Sequence, residues 1–306
     1  MTLDRETRQL LDLLAARGEP PLWRGSAADA RSRRTPPKPL GPRDHVAFSK
    51  DDIVRGSSGR RIPVRTHRPG EGAAGALVYF PGGGWVLGDN DANDLLARRL
   101  ARATGLTIYL VEYSKAPEHP FPAAVEDAQD VIGWVARAAP GLSLHVGGDS
   151  AGANLAAVAT LAAREGGPPI ASQILFYPPT DACYDTYPQG DAEANSGVVT
   201  AELMAWFWRQ YVSDPVLLVD PRVSPLRAPN LRGLPPTLLV TAEHDILRDE
   251  GEEYGRRLEE AGVHVTHRRF EGQMHGFLSF VDVLPASDLA IAAVGEWIAG
   301  REEVRL

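Results

Sequence analysis

A chain of 306 residues, 43% of them hydrophobic, is long enough to bury the core of one large α/β domain or of two ordinary ones. A formal net charge of -8 offers no basic field to a phosphate backbone or an anionic lipid surface, and a single cysteine, Cys183, excludes an internal disulfide and any cysteine-built metal cluster. The start, MTLDRETRQL, is charged throughout and no later segment holds the about 18 uninterrupted apolar residues of a membrane span, so the expectation is a soluble, cytoplasmic protein with no nucleic-acid partner.

Residues 1 to about 44 carry a helix with Leu10, Leu11, Leu13 and Leu14, followed by the Arg- and Pro-rich stretch RSRRTPPKPLGP, which forms no core and reads as a solvated linker. HVAFSKDDIVRG then suggests an antiparallel start to a sheet. Beyond it, short β-rich runs bounded by Gly or Pro appear at 75–81, 106–113, 142–148, 172–178 and 235–243. Helical patterns lie at 93–104, 122–138, 151–164, 248–261 and 287–298. Continuous apolar strands alternating with helices predict a doubly wound, mostly parallel α/β sheet covered on both faces. An insert at about 181–225 interrupts the alternation. Its helix, in TAELMAWFWRQYV, has Leu203, Met204, Trp206, Phe207, Trp208 and Tyr211 around most of its circumference, so it is packed on several sides or covers an apolar cavity. The N-terminal segment, 1–44, and this insert together suggest a cap over a domain spanning 45–306.

The segment HVGGDSAGANLAAV, 145–158, sets Ser150 between Gly148 and Gly152. A bare G-x-S-x-G is a weak signal, but here a strand precedes it and an alanine-rich helix follows. That is the context a nucleophile elbow requires: a strained apex with small neighbours on both sides, and a helix N-terminus favouring negative charge beside the serine.

A serine hydroxyl needs a base, and the base needs an acid to orient it. Of eight histidines, His264, His267 and His275 follow in the chain order such a sheet demands. His264 and His267 fall in an alternating, strand-like stretch, AGVHVTHRRF. His275 lies in the glycine-flanked loop EGQMHGF and is the expected base. Asp245 directly follows the run PPTLLVTAE and is the expected acid, with Asp181 as a topological rival. The loop PGGGWVLG, 81–88, follows a strand and brings three glycines. With an elbow serine downstream it reads as an oxyanion loop offering the N–H groups of Gly83 and Gly84, with Ala151 as a third donor. No GK[ST] or G-x-G-x-x-G pattern supports a phosphate loop.

Six segments in this order, PGGGWVLGD, APEHPFPAAVED, GGDSAGANLA, DPRVSPL, LPPTLLVTAEHDILRDEGEEY and EGQMHGF, resemble the bacterial hormone-sensitive lipase family of α/β-hydrolases, over residues 75 to 280 or so. The resemblance implies an α/β-hydrolase fold with a helical cap. It places a triad on Ser150, Asp245 and His275, and oxyanion donors on Gly83, Gly84 and Ala151. It also implies structural or supporting roles for Glu118 and Asp127. The chain departs from the family at Pro81, where histidine is usual, at Ser114 and Lys115, where Arg-Leu is usual, and at Ile246, where proline is usual.

The expected activity is a serine carboxylesterase acting on small-molecule acyl esters of short to medium chain, with no metal or organic cofactor. Trp85, Trp206, Phe207 and Tyr211 are the candidate pocket residues. An amide or lactone hydrolase on the same triad is an alternative. So is a non-catalytic receptor of the same fold, of the plant gibberellin-receptor type, a class that lacks the histidine found here at 275. A homodimer is compatible with this reading.

Overall fold

The computed structural model describes residues 2–33, 39–182 and 198–303. Cys183, the first part of the expected insert (183–197) and residues 34–38 of the basic run lie outside the described residues.

Eight strands form one sheet in the order β1-β2-β4-β3-β5-β6-β7-β8. They are β1 (Phe48–Arg55), β2 (Arg61–Arg68), β3 (Gly75–Phe80), β4 (Thr107–Val111), β5 (Ser143–Asp149), β6 (Ser172–Phe176), β7 (Thr237–His244) and β8 (Val265–Met274). β1 and β2 pair antiparallel, as do β2 and β4, and every pair from β4 to β8 is parallel. β2 was absent from the sequence reading. RIPVRTHR carries a proline and three arginines, and next to the sheet edge Pro63 and Arg65 stay half-exposed, so the apolar run that marks a central strand is missing.

The two-residue period of the strands divides the core into two layers. Ala76, Val78 and Phe80 of β3 face one layer, closed by α4 (Ala123–Ala138), α5 (Ala151–Arg164) and α7 (Arg248–Glu260). Leu77 and Tyr79 face the other, closed by α3 (Asn90–Thr104) and α8 (Pro285–Glu303). α5 is alanine-rich and buried from Ala151 to Thr160, which lets it lie close against the sheet centre. From β3 the chain moves one way to β4, then returns across β3 to β5. The carboxyl ends of β3 and β5 therefore flank the switch point at which doubly wound sheets form their crevice.

Two further pieces converge on that end of the sheet. α1 (Arg5–Ala15) docks by β8, where Asp4 N–H donates to the Gly272 carbonyl at 3.0 Å and the Thr7 hydroxyl donates to Gln273 Oε1 at 3.2 Å. α2 (Ala27–Ser32), held by a capping box between Ser26 and Asp29, packs in one core with α6 (Ala201–Tyr211) and the loop after β3. Reading RSRRTPPKPLGP as wholly solvated is corrected at its first residue. The Arg31 guanidinium donates to the carbonyls of Val86 at 2.8 Å and Ala116 at 2.6 Å and makes a two-pronged pair with Glu118. A planar fork of donors fits that mixed acceptor set, and a composition argument about charge runs does not see it. Among the described residues, no helix is long and apolar enough to cross a membrane.

Candidate active site

Ser150 follows β5 directly, at φ +52° and ψ -125°, a backbone region that residues with a side chain rarely occupy. Its N–H is tied to the Phe176 carbonyl at 2.9 Å. The turn works only with small neighbours: a Cβ on Gly152 would run into the Phe80 and Pro81 carbonyl oxygens. The serine is thus presented at the head of α5, at the carboxyl end of a central strand.

His275 comes immediately after β8, and its Nε2 lies 2.9 Å from Ser150 Oγ. Its Nδ1 lies 2.7 Å from Oδ2 of Asp245, the first residue beyond β7. The other Asp245 oxygen accepts the Leu247 N–H at 2.9 Å, which fixes the carboxylate plane. Both His275 and Asp245 are buried, and the Tyr177 ring packs at 4.6 Å from the imidazole. The rivals lie elsewhere. Asp181 pairs with Arg227 at 2.7 Å. His267 bonds with the Thr241 hydroxyl at 2.8 Å, and His264 is exposed. Among the described residues, no cluster of three or more His, Cys, Asp or Glu is placed to hold a metal ion.

The loop after β3 is bound at nearly every residue. Pro81 O accepts the Tyr113 hydroxyl at 2.7 Å, Trp85 O accepts the Ala116 N–H at 2.9 Å, and Val86 O accepts from Arg31. Gly82 N–H and the Tyr79 hydroxyl both donate to Oδ1 of Asp149, at 3.0 and 2.9 Å. Burial pushes the Asp149 carboxyl above its usual range, against the pull of those two donors. Within the loop, Gly83 at φ +125° and Gly84 at φ +60° take conformations that other residues resist. Among the described residues, none accepts from the N–H groups of Gly83, Gly84 or Ala151. Ala151 is the first residue of α5, where the N–H has no partner within the helix.

α6 lies over this loop. Trp85 stacks on Tyr211 with centroids 4.5 Å apart and planes 2° from parallel, and touches Trp208 at 4.3 Å. Trp85 and Tyr211, expected as pocket residues, have no exposed surface. Phe207 comes up against Gly84, and Trp206 packs beside Phe207 at 5.3 Å.

Of the residues that brace the site, the sequence pointed only to Glu118 and Asp127, through the family resemblance. Asp149 sits beside the elbow serine, and a carboxylate in an apolar strand end was a readable signal of a buried hydrogen-bonding duty. Tyr79 and Tyr113 were hidden among strand aromatics. Glu118 bonds with Arg31, while Asp127 takes Arg60 at 2.8 Å and the Ser114 N–H at 2.8 Å.

Comparison with known proteins agrees with this fold. The profile of a family described by the alpha/beta hydrolase fold matches residues 77–279. The carboxylic ester hydrolase LipN of Mycobacterium tuberculosis is 43% identical over 78% of this chain and 66% of its own length. An ethyl acetate hydrolase of Pseudomonas putida is 34% identical over 84% of each chain. Among solved structures, an esterase from the archaeon Pyrobaculum calidifontis superposes with a TM-score of 0.88 at 35% identity, covering 99% of both chains. These relatives set the receptor alternative aside: the chain belongs to the alpha/beta hydrolase fold family, in its hormone-sensitive-lipase-like branch, and is a carboxylic ester hydrolase.

Proposed function

We propose that Ser150, His275 and Asp245 form the catalytic triad of a serine carboxylesterase acting on short- to medium-chain acyl esters. The observation that carries this reading is the continuous hydrogen-bonded line from Ser150 Oγ through the imidazole to a buried carboxylate, at 2.9 and 2.7 Å. Asp245 holds the tautomer in which Nδ1 carries the proton, so Nε2 is free to take the proton of Ser150 as the oxygen attacks the ester carbonyl. The negative oxygen of the tetrahedral intermediate meets the N–H groups of Gly83, Gly84 and Ala151. His275 returns the proton to the leaving alkoxide, the alcohol departs, and a water deprotonated by the same imidazole releases the acid and frees Ser150.

Residues 1–44 and the insert at about 181–225 serve as the cap in this reading, supported by the shared core that α2 and α6 build over the oxyanion loop. Phe207 and Trp206 form the pocket wall, with Trp85 and Tyr211 stacked behind. A wall of large aromatics set against the oxyanion loop limits the acyl group, and the ethyl acetate hydrolase among the relatives points the same way. The test is labelling with a fluorophosphonate. One adduct per chain on Ser150, with loss of esterase activity in step, is expected. Stoichiometric labelling elsewhere, or activity surviving full labelling of Ser150, would overturn the assignment.

A further inference from the structure

Lys115 has no part in the triad, yet it lies beside the loop that serves it. Its Nζ is shut off from solvent and has no hydrogen-bond partner among the described residues. It sits over the face of Tyr113, 3.2 Å from the ring centroid. The hydroxyl of that tyrosine donates to the Pro81 carbonyl at 2.7 Å, and Pro81 opens the loop that carries Gly83 and Gly84. The chain around the lysine is fastened to the same loop through the Ala116 N–H and the Trp85 carbonyl, 2.9 Å apart.

A buried, unpaired amine is a costly way to fill space, and an aliphatic side chain would do so without desolvating a charge. What the amine adds is charge at the ring face. A cation there draws density out of the ring and makes the phenol a stronger donor. Burial pushes the Tyr113 hydroxyl well above its ordinary range, so it keeps the proton it donates.

We infer that Lys115 is a positioning residue for the oxyanion loop: its ammonium, held on the face of Tyr113, tightens the Tyr113–Pro81 hydrogen bond and so fixes Gly83 and Gly84 where the oxyanion forms. This rests on residues 81–88 being the oxyanion loop. The charged groups around the amine are Glu112 on its own segment, Asp127 on α4 and Asp89 at the head of α3, which favour the ammonium, and Arg31 on α2, which opposes it. Burial outweighs them and pushes the amine down to about 7. The ammonium is therefore present below that pH and lost above it, and the bracing goes with it.

The experiment compares kcat and KM for hydrolysis of para-nitrophenyl butyrate from about pH 6 to about pH 9 in wild type, Lys115→Met, Tyr113→Phe and the double variant. The quantity read is the ratio of wild-type to Lys115→Met kcat, in which any pH dependence common to the two enzymes cancels. It is expected to be roughly three to ten at the acid end, with KM unchanged, and to fall to about one above pH 8 as the amine deprotonates. In the Tyr113→Phe background, Lys115→Met is expected to change kcat by less than about 1.5-fold at every pH, because the route through the phenol is gone. A ratio that does not vary with pH, or the same ratio with and without the Tyr113 hydroxyl, would overturn the inference and leave Lys115 as packing. Lys115→Leu, which matches the aliphatic bulk, repeats the measurement if the methionine variant folds poorly. Failure of the oxyanion-loop reading shows separately, as unimpaired kcat in Gly84→Ala.

Discussion

A side chain on Gly84 would fall inside the ring of Phe207. The glycine sits at φ +60°, so its backbone geometry and its lack of a Cβ are both required where α6 meets the loop after β3, the proposed oxyanion loop. Gly84→Ala is expected to shift the loop and misdirect at least one donor. The loss of a single oxyanion donor costs about 10² to 10³ in kcat. The fold should survive, since left-handed backbone at one non-glycine residue costs roughly 1–2 kcal/mol. Steady-state kinetics beside a melting curve make the test, and full kcat in a folded variant would remove Gly84 from the oxyanion hole.

The same contact predicts substrate range. Phe207 is buried, and its ring closes the space above the loop. Phe207→Leu opens that space by several carbon atoms' worth of volume. The ratio of kcat/KM for dodecanoate over butyrate esters should rise by about tenfold, since one methylene in an apolar pocket is worth about 1–3 kcal/mol. Wild type should favour the butyrate. A preference for long chains in wild type, or an unchanged ratio in the variant, would place the acyl pocket away from Phe207.

Ser150→Ala should lower turnover on the order of 10⁴-fold or more, because removing a triad nucleophile leaves only binding and the oxyanion donors. Alanine meets the same φ of +52° as serine and fits the turn, so the melting temperature should move little. Retention of a tenth of the wild-type rate would end the assignment of Ser150 as nucleophile.

Asp149 should make stability depend on pH. Its carboxyl is raised from the ordinary 3.8, mainly by burial. The folded state thus holds this proton more tightly than the unfolded chain, and stability falls as pH rises from the ordinary value through the raised one. Both hydrogen bonds that the carboxyl accepts end on Oδ1, an atom asparagine retains. Asp149→Asn should therefore gain in melting temperature relative to wild type as pH climbs through that window, then keep a constant lead. Parallel melting curves for the two proteins across the whole acid range would show that Asp149 does not titrate there.

Much of this site was legible because its chemistry dictates local spacing. The elbow glycines, the acid at the end of β7 and the histidine after β8 follow from what a strained serine, a carboxylate and a base each need from the end of a strand. His275 is 125 residues from Ser150 in the chain and 2.9 Å away in space; chain order narrowed the choice to His264, His267 and His275, and the glycine-flanked loop EGQMHGF singled out the last. What escaped is what depends on contacts between distant segments. Arg31 looked like linker because neighbouring arginines define a composition, whereas its acceptors at Val86 and Ala116 come from the segments after β3 and β4. The capping box at Ser26 and Asp29 was readable from its spacing and would have located α2. β2 alternates polar and apolar residues next to the sheet edge, and Pro63 and the arginines masked it.

The departure at Pro81 is the sequence's sharpest challenge to an oxyanion hole, and the structure offers a physical reason why it is tolerated. Position 81 contributes to the loop through its backbone carbonyl, which accepts the Tyr113 hydroxyl at 2.7 Å, and a proline carbonyl accepts as well as any other. The N–H that proline lacks is not among the proposed donors, which belong to Gly83, Gly84 and Ala151. The next N–H, on Gly82, is already held by Asp149 at 3.0 Å. Proline also fixes φ near about -65°, which limits the ways the strand can leave β3 and narrows what the rest of the loop must restrain. Pro81→His should consequently change kcat by less than about tenfold, well short of the cost of one lost donor. Measured on a single activated short-chain ester, a hundredfold gain in the histidine variant would mean that proline misplaces the loop and that the wild-type hole is incomplete. A modest change, together with a large loss in Tyr113→Phe, would mean that the carbonyl of residue 81, and not its side chain, is what the loop depends on.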